Sequence, residues 1–426
     1  MKTSPILKET GTLLSGNVLA QGIALAAYFV LMRIFSPDDY GLYNIFYSYI
    51  EVLIILSTLK YEMAVVVAGS DSEANDISGA TLRLNTLVSL LLLTVALVLW
   101  LTGALPGNFA QLGWMVLLIP PMVFFCGTSR VYAALFNRMH RYSSIAVNET
   151  VNAGIGALLK IVLGLLGMLQ AGMPVGTVAG RAIANITYRL KLKQLGRAPS
   201  FRGNRADALT VMQKYRNFPF YVASKDFINS FSYNLPFLWL ALYFDRAEVG
   251  LFALALTFTF RPANLLNNAI EKVYYARTAE GVRRGEPIGR MIMRLLLVVN
   301  AVALPVCVLA WFVAEPVFSF CFGGRWAGCG VYVRALLPWI FLSLSATPLT
   351  FISNVFSTQR IEFYFYLVLL VLRVGAIAVG IHAGGFLLAI RLYAAAGALV
   401  SASLLVWYLW QVRRYELTLS PQDRQR

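Results

Sequence analysis

Long apolar stretches follow one another along almost the whole chain, and its positive charges gather in every second gap between them. As helix, residues 87–101, 153–169, 295–312 and 364–381 would each rise about 1.5 Å per residue, enough to cross most or all of a hydrocarbon layer roughly 30 Å thick. A helix on a soluble domain keeps one face polar. These segments are apolar nearly all round, so their solvent is lipid.

Spans are expected at 11–32, 41–59, 82–103, 112–135, 146–168, 174–190, 218–243, 247–270, 291–313, 331–354, 362–382 and 386–410. Charged residues make up only 13% of the 426, against about 25% in soluble domains, and little length is left over for a soluble domain. The first apolar segment has no convincing cleavage site, so it reads as a retained span rather than a signal peptide. Cys321 and Cys329 flank a short segment on the expected outer side, and a disulfide between them stays open at this stage.

The net charge of +16 would suit nucleic acid if it were spread over a soluble surface. Instead it is segregated. Arg189, Lys191, Lys193, Arg197, Arg202, Arg205, Lys214 and Arg216 crowd the gap after the sixth span; Lys272, Arg277, Arg283, Arg284, Arg290 and Arg294 follow the eighth. The positive-inside bias then puts both termini and these gaps in the cytoplasm, facing anionic lipid headgroups. Membrane lipids are the expected neighbours, and nucleic acid is not an expected partner.

The basic stretch divides the chain into an N-terminal six-helix lobe (1–190), a cytoplasmic linker (191–217), a C-terminal six-helix lobe (218–410) and a cytoplasmic tail (411–426). Asp39-Tyr40-Gly41-Leu42-Tyr43 is echoed by Glu248-Val249-Gly250-Leu251-Phe252, and at the same offset Asn17 matches Asp226 and Glu62 matches Glu271. An internal duplication of an even number of spans gives parallel repeats. The expected fold class is therefore all-α: a polytopic membrane protein of about 12 transmembrane helices in two lobes, related by a pseudo-two-fold axis along the membrane normal. Two such lobes would enclose a cleft able to open to either side.

Arg33-Ile34-Phe35-Ser36-Pro37-Asp38-Asp39-Tyr40-Gly41-Leu42-Tyr43, followed by Tyr61-Glu62-Met63-Ala64-Val65, resembles the start of lipid-linked oligosaccharide flippases. These belong to the polysaccharide transporter branch of the multidrug/oligosaccharidyl-lipid/polysaccharide (MOP) superfamily. Arg261-Pro262-Ala263-Asn264, Phe322-Gly323-Gly324-Arg325-Trp326-Ala327-Gly328 and Leu337-Pro338-Trp339 continue the likeness. The resemblance implies a bacterial inner-membrane flippase with an undecaprenyl-diphosphate-linked glycan as cargo. It also implies surface-polysaccharide biosynthesis (O-antigen, capsule or exopolysaccharide) and polysaccharide polymerase machinery as a partner.

The residues themselves point to function through charges inside spans. Placing one at the bilayer centre costs at least about 2.5–3.5 kcal/mol, so each should face a cavity or a counter-charge. Lys160, Arg181, Lys225, Arg261, Arg373 and Arg391 form the expected substrate-binding cations. Guanidinium forks and an ammonium suit the oxygens of a diphosphate. Pairing with Glu149, Asp226 or Glu271 is the competing structural role. Asn17, Gln21 and Tyr28 in the first span, Asn229 beside Lys225, and Asn264 and Asn268 beside Arg261 recur at helical spacing and would line a wet lumen.

Glu149 and Asp226 are the candidates for coupling to H+ or Na+. With no phosphate-binding loop and no Cys/His cluster, neither ATP hydrolysis, a metal nor any cofactor is expected. Trp326 and Trp339 are expected at the outer interface, near a short surface helix within Phe318–Gly330. A cation-coupled multidrug exporter of the same superfamily is the first alternative; it would call for more buried carboxylates. A membrane-embedded polymerase or ligase is the second, and it would need a larger outer loop.

Overall fold

The computed structural model describes residues 5–197, 199 and 205–419; side chains of residues 5–19, 205–209, 268, 269, 272 and 276 are not described. All regular structure among the described residues is helical. Twelve long helices follow the expected spans: α1 (Pro5–Ile34), α2 (Pro37–Thr58), α3 (Asp71–Leu101), α4 (Ile119–Arg138), α5 (Tyr142–Leu165), α6 (Leu169–Gln194), α7 (Ser224–Trp239), α8 (Arg246–Arg284), α9 (Gly289–Phe322), α10 (Cys329–Ala346), α11 (Gln359–Ala383) and α12 (Phe386–Thr418). Nine helical stretches among the described residues are long and apolar enough to cross a membrane. The three that fall short are α1, whose described side chains begin only at Ala20, α6, which carries Arg181, and the short α7 with Lys225 and Asp226.

Local chemistry explains the boundaries. Ser36 caps α2 by accepting from the Asp39 N–H at 3.2 Å, while the Asp39 carboxylate accepts from the Ser36 N–H at 2.9 Å; Pro37 fits the first turn. Ser70 caps α3 through the Glu73 N–H. Leu59 and Lys60, both at positive φ, turn the chain sharply out of α2. The surface is inverted relative to a soluble protein: Leu101, Leu165, Phe312 and Phe320 are exposed, while Asn85, Asn148, Asn185 and Arg373 are buried. Apolar side chains face outward, toward lipid, and polar ones turn inward, where the Asn85, Asn148 and Asn185 amides donate to the Phe124, Ala184 and Phe125 carbonyls.

The chain divides into two compact units, Met1–Leu242 and Tyr243–Arg426. In the first, α5 lies against α1 and α6, and α3 packs beside α4. Helices α5 and α6 approach backbone to backbone. A Cβ on Gly180 would stand 2.7 Å from the Gly156 Cα, and one on Gly176 would stand 2.8 Å from the Lys160 backbone N. This is the close crossing that small residues permit in membranes. In the second unit, α10, α11 and α12 are packed together and α9 presents much of its surface outward.

The unit boundary falls one helix later than the linker expected at 191–217. Helix α7 packs against α2. Asn234 Nδ2 donates to Glu51 Oε2 at 3.0 Å, Lys60 pairs with Asp226 at 2.6 Å, and the Asn108 and Gln111 side chains donate to the Leu238 and Ala241 carbonyls.

Three expectations are corrected. The basic gap after the eighth span is largely a helical extension: α8 runs 39 residues, about 58 Å, and continues through Arg283 and Arg284. Trp326 and Trp339 are not interfacial anchors; they are 0% and 7% exposed and fill the interior of the second unit. In place of a surface helix in Phe318–Gly330, α9 continues to Phe322 and a short 3-10 turn spans Gly324–Trp326. Cys321 and Cys329 are free thiols.

Candidate functional site

Tyr40, Tyr43, Tyr47 and Glu51 recur along one side of α2. The rings of Tyr40, Tyr43 and Tyr47 stack in sequence at centroid separations of 6.1 and 5.9 Å. Tyr28 on α1 meets Tyr40 edge-on, with its hydroxyl 3.4 Å from that of Tyr40. The Tyr43 hydroxyl accepts from Lys160 Nζ at 3.4 Å and from Thr177 Oγ1 at 3.2 Å, and the ammonium lies 5.1 Å from the ring centre. Because Gly176 has no side chain, α6 comes close enough to α5 to hold Lys160 in this position.

Further along α2, a cavity of about 280 Å³ opens inside the first unit. Its polar wall comprises Tyr47 and Glu51 from α2, Ser129 and Arg130 from α4, Glu149 from α5 and Arg181 from α6. Arg181 Nη1 pairs with Glu149 Oε1 at 3.3 Å; Arg130 Nη1 stands 4.0 Å from Glu62 Oε1. Arg181 Nε and Arg130 Nη1 are buried without a hydrogen-bond partner.

The structure therefore brings Lys160, Tyr28, Glu149 and Arg181 onto one polar track within the first unit. It places Arg181 against Glu149, the structural role that sequence left open. Asp226, likewise, is engaged by Lys60. On α7, Lys225 is half-buried and Asn229 exposed, whereas Ser232, the third member of that stripe, is buried in packing. Gln21 is half-buried, and the Asn17 side chain lies outside the described ones.

In the second unit Arg261 is half-buried and Asn264 exposed on α8; the Asn268 side chain is not described. Arg391 is exposed on α12. Arg373 is 2% exposed, its guanidinium 4.5 Å from the Trp339 ring centre and 4.1 Å from that of Tyr393. The two rings meet edge to face, with centroids 5.6 Å apart, so the buried cation lies in the corner they form, a contact favoured by ring quadrupoles when water is excluded. Sequence reasoning passed over Arg130 and Tyr47. Arg130 lay within the expected span 112–135, and the seven-residue step from Tyr40 to Tyr47 and then to Ile54 would have marked one face of α2.

Solved structures share this fold. A multidrug resistance MATE family transporter of the MOP superfamily, in an inward-facing conformation, superposes with a TM-score of 0.70 at 14% identity, covering 94% of this chain and 96% of the other. Lipid II flippase MurJ, in an inward closed conformation, superposes with a TM-score of 0.76 at 11% identity, covering 95% and 90%. These likenesses show the fold, and with nine helical stretches among the described residues long and apolar enough to cross a membrane, the class is an all-helical, multi-pass membrane protein.

The family is also shown. The polysaccharide biosynthesis protein family matches residues 30–331, and the chain belongs to it. The succinoglycan biosynthesis transport protein ExoT of Rhizobium meliloti (strain 1021) is 23% identical over 421 residues, 97% of this chain and 79% of that protein.

Proposed function

We propose that the protein is a flippase that carries a polyprenyl-diphosphate-linked oligosaccharide from the cytoplasmic to the outer leaflet by alternating access, for surface-polysaccharide biosynthesis. The observation that carries this reading is the set of intramembrane cations beside exposed polar side chains. Lys225 with Asn229, and Arg261 with Asn264, sit within spans where facing lipid would cost several kcal/mol, so a water-accessible path is the stable alternative. A diphosphate headgroup matches those cations. Kinship with a succinoglycan transport protein and the fold shared with a lipid II flippase support the same cargo class.

Lys160, Lys225 and Arg261 are the cations we assign to the diphosphate. Arg391, exposed on α12, joins them in this proposal. Arg373 we assign to the frame of the second unit, because its guanidinium is buried against the Trp339 and Tyr393 rings. With both termini in the cytoplasm of a bacterial inner membrane, moving an anionic headgroup outward would gain about 2.3 kcal/mol per charge per 100 mV. Glu149 and Asp226 remain the candidates for H+ or Na+ coupling. Depleting the protein in its host should trap the lipid-linked glycan on the cytoplasmic leaflet; unchanged surface polysaccharide after full depletion would refute the reading.

A further inference from the structure

The cavity inside the first unit has a different chemistry from a phosphate site. Its wall sets two guanidiniums, Arg130 and Arg181, against two carboxylates, Glu51 and Glu149. A diphosphate placed there would lie beside both carboxylates, and an organic cation beside both guanidiniums; each would lose by like-charge repulsion what it gained by attraction. A neutral polyol meets no such conflict. Its hydroxyls donate to carboxylate oxygens and accept from guanidinium N–H groups, and the Ser129 hydroxyl does both.

The wall is also two-sided. Tyr47 presents a ring, and Ile50 and Ile54 line the cavity from the same helix. A pyranose has the matching duality, an apolar C–H face and a polar rim. The volume, about 280 Å³, is close to the lower limit of small-molecule pockets and fits one sugar ring rather than a chain.

We infer that the cavity formed by Tyr47, Glu51, Ser129, Arg130, Glu149 and Arg181 is a subsite for one neutral sugar residue of the cargo, separate from the cations that hold the diphosphate. The inference rests on the proposed flippase reading and adds to it a division of labour: the cations assigned to the diphosphate take the head, and this cavity takes a sugar. Tyr47 stacks on the ring, and Glu51, already steadied by Asn234 at 3.0 Å, accepts from its hydroxyls.

The test compares two ligands on the purified full-length protein in lipid nanodiscs: bare polyprenyl diphosphate, and the same lipid bearing a single neutral hexose. Wild type should bind the glycosylated lipid more tightly. Tyr47→Ala and Glu51→Gln should each weaken the glycosylated lipid at least tenfold and leave the bare lipid within twofold. Tyr47→Phe, which keeps the ring, should retain the preference; Lys225→Ala should weaken both lipids alike. If the variants weaken both ligands equally, or neither, the sugar subsite is wrong while the flippase reading stands. If wild type binds neither lipid, the flippase reading fails and the subsite with it.

Discussion

Arg373 and Lys160 look alike in the sequence, each a cation deep in an apolar helix, yet their surroundings assign them different work. Arg373 is buried against Trp339 and Tyr393, and Gly397 lies against the same tryptophan. Replacing it with alanine removes two desolvated cation–π contacts and opens a cavity. We expect Arg373→Ala to lower folded stability by about 2–4 kcal/mol, read as a drop in the unfolding midpoint in detergent and in membrane abundance. An unchanged midpoint with lost transport would return Arg373 to the substrate. Lys160 instead meets the Tyr43 hydroxyl and ring and is half-buried. Lys160→Ala should leave abundance intact and reduce glycan export about tenfold, the scale of one charge-assisted contact. Normal export at normal abundance would remove Lys160 from the site.

At the scale of elements, the helices and their approximate limits were legible because lipid demands long apolar runs, and no other feature of the chain competes with that signal. What the runs could not show was where a helix stops once it leaves the bilayer. Water satisfies an extended α8 as well as a loop, so Arg277–Arg284 read as a gap and proved helical. The tryptophans failed for a related reason: hydropathy gives depth along a helix, not which side faces the protein, and Trp326 turned inward. Among the site residues, sequence picked out the charges and the candidate counter-charges but not which of them meet. The Arg181–Glu149 pair joins residues on different helices, a pairing that only the α5–α6 crossing creates. That crossing is itself testable. Gly180→Leu should force α5 and α6 apart, costing about 1–3 kcal/mol or more and lowering abundance. A variant as stable as wild type would mean the close approach is dispensable.

For the whole molecule, the segregation of charge is the feature from which orientation follows. Basic side chains cluster at 189–216 and again from Arg277 to Arg294, and the first cluster is partly fixed in place: Arg197 pairs with Asp71, and Lys214 with Glu73. Reporter fusions at either terminus should show both on the cytoplasmic side; a terminus found outside would invert the proposed direction of transport. The proposed drive follows from that same orientation, since an outward-moving diphosphate is favoured by a cytoplasm-negative potential.

The central claim is translocation itself. The most direct measurement reconstitutes the purified protein in liposomes carrying a fluorescent polyprenyl-diphosphate glycan and follows its loss of protection from a membrane-impermeant quencher or glycosidase. The account predicts protein-dependent exposure of the inner pool, strongly slowed by Lys225→Ala with Arg261→Ala. Exposure no faster than in protein-free liposomes, at verified folding and orientation, would contradict it.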